Sequence, residues 1–249
     1  MKITAFGKSD VGKVRELNED SFFIEGFAEE KPFGFCVLAD GMGGHNAGEV
    51  ASSMAVDIIS REILASEETD NNAEIARFLT AALDFANNEI YNESVTDSSK
   101  AGMGTTAVIL YITGDIAYIA NIGDSRAYIL EDGSLRQLTV DHSVVQKLVE
   151  SGSITAEDAR VHPERNIITK ALGTEPEENY DIFEIPIKPG DRLLLCSDGL
   201  SDMLTDNEIG EILNRNLSDE ETGNILISEA NEHGGNDNIT VLLLTVRED

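Results

Sequence analysis

The chain has 249 residues, enough for one large domain with a sizeable buried core. Its 47 acidic and 18 basic residues give a net charge of −29, and such a surface repels nucleic acid and anionic membranes, so neither is an expected partner. No apolar run reaches the roughly 18 residues of a membrane span, and the two cysteines form no disulfide framework, so we expect a soluble, cytoplasmic protein.

Three predicted strands open the chain, and two long helical patterns follow them. Short apolar runs predict strands at 3–7, 21–25 and 33–39. The period then changes to that of a helix, with apolar faces over 48–65 and about 72–95. Two long consecutive helices indicate an antiparallel pair that packs over a sheet.

Strands joined by turn residues predominate in the rest of the chain. They are predicted at 105–112, 116–122, 126–130, 135–138, 180–185, 192–197 and 239–246. Helices are predicted at 142–151, 206–215 and 219–232. Residues 155–178 are irregular and acidic, and we expect a surface flap over about 145–178. This order predicts a single α+β domain over 1–249, with mostly antiparallel sheets.

Four short segments with an aspartate lie next to these apolar strands. The aspartates are Asp40, Asp124, Asp198 and Asp237, and all but Asp237 lie in or beside a glycine turn. Crowded, partly buried carboxylates repel one another and lose water, so the set implies a compensating cation. Hard divalent ions such as Mg²⁺ and Mn²⁺ are held by oxygen clusters of this kind.

Two glycine motifs resemble nucleotide-binding sequences but lack the required context. Residues 7–14 nearly spell a P-loop, but Val14 stands where a Ser or Thr should bind Mg²⁺, and no helical period follows. Residues 102–107 open a strand rather than a helix, which favours a tight turn. We therefore expect no nucleotide site at either motif.

Other phosphatase and hydrolase chemistries are also disfavoured. A cysteine-dependent phosphatase needs an arginine six residues after its cysteine, where this chain has Met42 and Asp202. No Asp-x-Asp occurs for an aspartyl-phosphate mechanism, and no Gly-x-Ser-x-Gly elbow is present. The four histidines are too few and too scattered for a histidine-rich dimetal site.

Several weak motifs become specific when they are taken in order. They are Arg15–Asp20, Asp40–Gly44 with Gly48 and Glu49, Gly104–Thr106, Gly123–Arg126, Ser197–Gly199 and Asn236–Asn238. The ordered set resembles the metal-dependent protein serine/threonine phosphatases of the type 2C class, bacterial branch, from about residue 4 to residue 246. The resemblance implies a four-layer α-β-β-α fold, in which pairs of antiparallel helices flank a central antiparallel β-sandwich.

The resemblance also implies a site for two Mg²⁺ or Mn²⁺ ions and for a third, weaker ion. The residues that would hold metal are Asp20, Asp40, Gly41, Asp124, Asp198 and Asp237. Asp40 would bridge two ions, with the Gly41 carbonyl joining it on one of them. Asp198 and Asp237 would hold the other ion, and Asp20 would act through metal-bound water. Asp124, with Asp198, matches the ligands of the third ion.

Two further residues are expected to act on the phosphate group. Arg15 would grip two phosphate oxygens with its planar fork, although a surface ion pair with Glu19 is the alternative. Eukaryotic relatives carry a histidine two residues after the bridging aspartate, whereas this chain has Met42 there. His45 is a candidate proton donor, and a metal-bound water or a packing role for His45 are the alternatives.

The implied activity is hydrolysis of phosphoserine and phosphothreonine in proteins by a hydroxide that bridges two metal ions, without a phosphoenzyme. The expected partners are phosphorylated proteins and a cognate serine/threonine kinase, and a monomer is the expected state. Two other functions remain open. One is a catalytically inactive phosphopeptide-binding or regulatory module on the same fold, and the other is a divalent-ion buffer, which would leave Arg15 without a function.

Overall fold

The structure is a computed structural model that describes residues 1–27, 33–44, 47–66, 69 and 71–248. Its strands are β1 (Lys2–Asp10), β2 (Asp20–Glu25), β3 (Phe33–Met42), β4 (Gly104–Thr105), β5 (Ala107–Thr113), β6 (Ile116–Ile122), β7 (Arg126–Glu131), β8 (Ser134–Gln137), β9 (Asp181–Pro186), β10 (Arg192–Cys196) and β11 (Ile239–Arg247). Its helices are α1 (Ala47–Ala65), α2 (Asn72–Thr96), α3 (Val144–Glu150), α4 (Ala156–Arg160), α5 (Asp198–Ser201), α6 (Asp206–Leu213) and α7 (Asp219–Glu232), with a 3-10 turn at Ser98–Lys100. Within the described ranges, no helix has both the length and the apolar character of a membrane span.

The strands form two antiparallel sheets. One has the order β1-β11-β10-β7-β8, and the other has the order β2-β3-β5-β6-β9 with β4 paired to β3. Short connections join β2 to β3, β5 to β6 and β7 to β8, whereas β1 and β11 bring the two ends of the chain together over nine residue pairs. The α+β class with antiparallel sheets is therefore confirmed.

Side chains of β3 alternate between two buried clusters, which explains why this strand is apolar throughout. Phe35, Val37 and Ala39 pack in the cluster that contains α1 and α2. Cys36 and Leu38 pack in the cluster between the two sheets. A third cluster lies between β7, β10 and β11 and the helices α5, α6 and α7. The resulting order of helices, sheet, sheet and helices confirms the four-layer prediction.

Several predicted elements differ from the structure, beginning with the strand predicted at 3–7, which extends over Lys2–Asp10. The strand predicted at 105–112 is broken at Thr106 into β4 and β5. The prediction of irregular structure over 155–178 is wrong at α4, because Thr155 and Asp158 form a reciprocal capping box that begins a helix there. The strand predicted at 192–197 ends at Cys196, and α5 follows it.

Strand direction brings the functional candidates to one end of the sandwich, which we call the metal pole. Asp40 lies near the end of β3 and is paired in register with Asp20 at the start of β2. In the other sheet, β10 ends just before Asp198 and β11 begins just after Asp237, and Cys196 pairs with Val241. Antiparallel pairing therefore explains why residues far apart in sequence meet at this pole.

Candidate metal centre

Asp40 is held through its backbone by two threonines. Its N–H donates to Thr106 Oγ1 at 2.9 Å, and its carbonyl accepts from Thr105 Oγ1 at 2.8 Å and from the Thr106 N–H at 2.9 Å. Thr106 Oγ1 also lies 2.8 Å from Ser125 Oγ, beside Asp124. These bonds satisfy backbone groups, so the carboxylate is left for another partner. Burial, and then the charges of neighbouring aspartates, raise the pKa of Asp40 well above its usual range.

Asp20 uses one carboxylate oxygen and leaves the other without a partner. Its Oδ2 accepts from Ser197 Oγ at 2.8 Å and from Thr240 Oγ1 at 2.6 Å. Its Oδ1 is buried and has no hydrogen-bond partner among the described residues. Burial outweighs these two bonds and raises the pKa of Asp20 to about 6. A cation or water near Oδ1 would satisfy this oxygen.

Asp198 begins α5 and also carries a buried carboxylate oxygen. Its Oδ1 has no hydrogen-bond partner in the described part of the chain. Burial raises the pKa of Asp198 well above its usual range, and the charges of Asp124 and Asp202 add to this. The following Gly199 fits closely, because a Cβ there would lie 2.0 Å from the carbonyl oxygen of Asn238. The close approach fixes α5 against the segment that carries Asp237.

Asp124 lies in the turn between β6 and β7. The preceding Gly123 has φ +103°, and a Cβ there would lie 2.5 Å from Thr106 Cγ2, so glycine is required on both grounds. Burial raises the pKa of Asp124 to about 7, with Asp141 adding to the effect. Asp124 and Asp198 both line a cavity of about 370 Å³ that extends between the metal pole and α3, α4 and α6.

Asp237 and Arg15 meet at the edge of the pole. Arg15 Nη2 donates to Asp237 Oδ2 at 2.7 Å, and Arg15 Nη1 lies 4.0 Å from Glu19 Oε2. The ion pair with Glu19, which was the alternative for Arg15, is therefore the longer of the two contacts. Half of the Arg15 side chain remains exposed, at 48%. The guanidinium is thus placed beside the carboxylates while it stays accessible to a ligand.

Gly41 lies where three segments come together. A Cβ at this position would lie 2.0 Å from the Gly48 carbonyl oxygen and 2.7 Å from that of Glu19. The Gly41 N–H donates to the Glu19 carbonyl at 3.0 Å. Only glycine permits this approach of β3 to the start of α1 and of β2.

The carboxylates fit a site for hydrated divalent ions. Asp20, which is buried, and the partly buried Asp124 and Asp198 contribute to a set of mutually repelling groups around Asp40, and the pKa of every member is raised. No group of three or more His, Cys, Asp or Glu side chains in the described ranges is arranged to hold one ion unaided. Mg²⁺ keeps several waters and usually takes only one or two carboxylates, so this spacing fits hydrated ions and does not fit an all-protein cage.

One predicted site residue is outside the structure, and several contributing residues were not predicted. His45 lies outside the described residues. Met42, which takes the place of the histidine expected from eukaryotic relatives, is half-buried near the end of β3. Sequence reasoning missed the hydroxyls of Ser197 and Thr240, the amide of Asn238 and the imidazole of His142. Ser197 and Asn238 stand beside predicted ligands, which was the available signal, whereas nothing marked Thr240 or His142.

Known proteins resemble this chain over nearly its whole length. The family model described as protein phosphatase 2C matches residues 12–224. The serine/threonine phosphatase stp of Listeria monocytogenes is 41% identical over 237 residues, which cover 95% of this chain and 93% of that protein.

Two solved structures agree closely with the fold. The serine/threonine phosphatase Stp1 from Staphylococcus aureus matches with a TM-score of 0.93 at 37% identity, and the match covers all of this chain and 96% of that chain. The catalytic domain of the serine/threonine protein phosphatase PstP in complex with two manganese ions matches with a TM-score of 0.86 at 36% identity, over 99% of both chains.

Proposed function

The chain belongs to the protein phosphatase 2C family and is a metal-dependent protein serine/threonine phosphatase, and from this premise we propose how its residues act. Two Mg²⁺ or Mn²⁺ ions would be held by Asp40, the Gly41 carbonyl, Asp198 and Asp237, with Asp20 acting through water. A third ion would be held by Asp124 with Asp198. The observation that carries this assignment is the set of buried and partly buried aspartates with raised pKa at one pole.

The bound ions would lower the pKa of a water and neutralise charge on the phosphate, which is how divalent metals accelerate phosphoryl transfer. Arg15 would bind two phosphate oxygens with its planar fork, since its guanidinium stays half-exposed beside Asp237. Ser197 and Thr240 hold Oδ2 of Asp20, which leaves its Oδ1 as the acceptor for a water proton. These residues orient the phosphate and the water with respect to each other.

Direct attack by water, without a phosphoenzyme, is part of the proposal. Neither cysteine is available as a nucleophile, because Cys36 and Cys196 have no exposed surface. Burial raises the pKa of Cys196 to about 12 and that of Cys36 even further, so both stay protonated at neutral pH. The substrates would be phosphorylated proteins. An opposing serine/threonine kinase and a monomeric enzyme belong to the same proposal.

The test is turnover of an aryl phosphate and of a phosphothreonine peptide by the purified protein. We expect activity with Mn²⁺, loss of activity with EDTA, and a steep fall in kcat/KM for Asp40→Asn and Asp198→Asn. Asp132→Asn, which removes an exposed carboxylate far from the pole, should leave activity unchanged. Turnover without metal would contradict the mechanism, as would a phosphoryl group found on the protein by mass spectrometry after rapid quenching. Phosphopeptide binding without turnover would instead favour the inactive module.

A further inference from the structure

A second cavity lies at the end of the sandwich opposite the metal pole, and we call it the distal cavity. Its volume is about 400 Å³, and it is bounded by the β7–β8 turn, the β9–β10 turn, the end of β11 and the segment after α6. β11 runs from Ile239, beside the metal pole, to Arg247 in the distal cavity, a length of roughly 26 Å at the usual rise of a strand. The two sites are therefore separate.

The lining of the distal cavity is basic although the protein is strongly acidic. Its charged residues are Asp132, Lys188, Asp191, Arg192, Arg215 and Arg247. Four of the chain's 18 basic residues thus share one cavity with only two acids, in a protein with a net charge of −29. Lys188 and Arg192 are paired with carboxylates, so Arg215 and Arg247 carry the positive charge that makes an anion the favoured occupant.

Arg192 is buried and fixed, and its charge is paired with the carboxylate of Asp219. It is only 8% exposed, and Nη1 donates to the Leu213 carbonyl at 2.7 Å. Nη2 donates to Asp219 Oδ1 and Thr222 Oγ1, and Nε donates to Thr245 Oγ1, at 3.0, 3.1 and 3.2 Å respectively. These bonds hold the guanidinium in one place. They also cover the last carbonyl of α6, whose partial negative charge would otherwise repel an anion.

Arg215 and Arg247 provide charges that the protein does not neutralise. The Arg215 side chain makes no hydrogen bond or ion pair with any residue that the structure describes. The Arg247 side chain makes one long contact in the described ranges, from Nε to Thr4 Oγ1 at 3.4 Å, and no ion pair. Arg247 lies two residues after Thr245, so both are on the strand face where Thr245 meets Arg192. Two guanidinium groups that make no ion pair with the described residues therefore line the same cavity as the Arg192–Asp219 pair.

The remaining basic residue is less important for binding. Lys188 lies 2.9 Å from Asp132 Oδ2 and 3.3 Å from Glu131 Oε1, in exposed pairs that contribute little. Asp191 accepts a hydrogen bond from the Lys188 N–H at 2.9 Å and so holds the β9–β10 turn. The binding surface is thus formed mainly by Arg215 and Arg247, with Lys188 at the rim.

We propose that the distal cavity binds a small phosphate-bearing anion with two or more negative charges. Arg215 and Arg247 would bind its oxygens with their planar forks, beside the Arg192–Asp219 pair. The described residues that line the cavity include no aromatic ring, so nothing there would stack on a nucleobase. The proposal does not depend on the metal centre or on the function assigned to it.

The test uses calorimetric titration of the whole protein with pyrophosphate and with inorganic orthophosphate. EDTA is present throughout, so that no metal ion can bind either probe at the metal pole. We expect saturable binding that weakens as NaCl is added. Arg215→Gln together with Arg247→Gln should weaken binding at least tenfold. The matched control pair, Arg77→Gln with Arg136→Gln, removes the same charge from exposed sites outside the cavity and should stay within twofold.

The two probes distinguish the sources of the anion. Tighter binding of orthophosphate would identify the product of the proposed reaction as the ligand, and tighter binding of pyrophosphate would identify a larger phosphorylated compound. Either result supports the site. No binding of either probe overturns the proposal, and so does equal weakening in the two variant pairs. Thermal unfolding of both pairs checks that each remains folded, as expected for substitutions of exposed side chains.

Discussion

Arg15 donates a hydrogen bond from Nη2 to Oδ2 of Asp237 at 2.7 Å. This bond joins the residue proposed to bind phosphate to a residue proposed to bind metal. The two residues are 222 positions apart in the chain and meet because β1 and β11 pair along their whole lengths. The contact explains how an exposed arginine on the loop after β1 comes to lie at the metal pole. It also means that changes at Arg15 should act on phosphate binding more than on folding.

We predict that Arg15→Lys raises KM by about tenfold while kcat changes less, because an ammonium cannot bind two phosphate oxygens at once. Arg15→Ala should raise KM further. The melting temperature should change little, since the ion pair of Arg15 with Asp237 is largely exposed. Steady-state kinetics at saturating Mn²⁺ measure these effects, with Arg61→Lys, an exposed residue on α1, as the matched control. An unchanged KM in Arg15→Lys would contradict phosphate binding by the fork.

The loop that carries Arg15 is held at both ends by one amide. The Asn238 side chain donates from Nδ2 to the Val11 carbonyl at 3.0 Å and to the Leu17 carbonyl at 2.9 Å. Its Oδ1 accepts from the Glu19 N–H at 2.8 Å. Asn238 is only 4% exposed and does not contact Arg15 itself in the structure. We therefore expect it to position Arg15 through the loop.

We predict that Asn238→Ala raises KM but adds little once Arg15 is removed. The reason is that the two residues would act on phosphate through one pathway, so their effects should not multiply. In a double-mutant cycle with Arg15→Ala, the coupling free energy calculated from the KM values should be about 1 kcal/mol or more. Asn231→Ala, which removes a neighbouring amide that binds Asp10 rather than the loop, is the control. If the effects of the two substitutions on KM multiply in the double variant, Asn238 does not act through Arg15. If the change in KM follows the Mn²⁺ affinity measured by calorimetry, Asn238 acts on the metal site instead.

The regular apolar periods of the sequence predicted the α+β class and most of the helices and strands, whereas the four-layer order was implied by the family resemblance. The carboxylates at the metal pole were recognisable for a similar reason, since each follows or precedes a strand. The hydroxyls that hold Asp20 were not predictable, because Ser197 and Thr240 become its partners only when β10 and β11 pair. The same holds for the Arg15–Asp237 contact, which no local pattern records.

We predict that Asp198→Asn has opposite effects on stability with and without metal. In the metal-free protein, the substitution removes a partly buried charge that its neighbours repel, so the free energy of unfolding should rise by about 1 kcal/mol, or the melting temperature by roughly 2–4 °C. With Mn²⁺, the variant should gain less stability than the unaltered protein, because a proposed ligand is lost. Thermal unfolding with EDTA and with Mn²⁺ measures both. A lower melting temperature of the variant in EDTA would argue against mutual repulsion at the pole.

His142 links the turn that carries Asp124 to β9. Its Nδ1 accepts from the Gly123 N–H at 3.1 Å, and its Nε2 lies 3.2 Å from Asp181 Oδ2. The neutral ring, with its proton on Nε2, satisfies both contacts. Burial and then the charge of Lys170 lower the pKa of His142 below its ordinary value of 6.5, and the nearby Asp181 and Asp141 oppose this only in part. Protonation at Nδ1 would break the bond to Gly123.

We predict that His142 makes the protein less stable in acid. Because its pKa is lower in the folded state than in the unfolded chain, the unfolded chain binds more protons between these values. Stability should therefore begin to fall as the pH drops below about 6.5, and this loss is complete below the folded pKa. His142→Asn cannot titrate there, so it should be less stable by about 1 kcal/mol at pH 7.5, and this gap should narrow towards pH 5.5. Urea unfolding in EDTA at both pH values measures the difference in unfolding free energy between the unaltered protein and the variant. The aspartates at the metal pole titrate in both proteins, so their contribution cancels in this difference. A gap that stays constant between the two values would mean that His142 has the same pKa folded and unfolded.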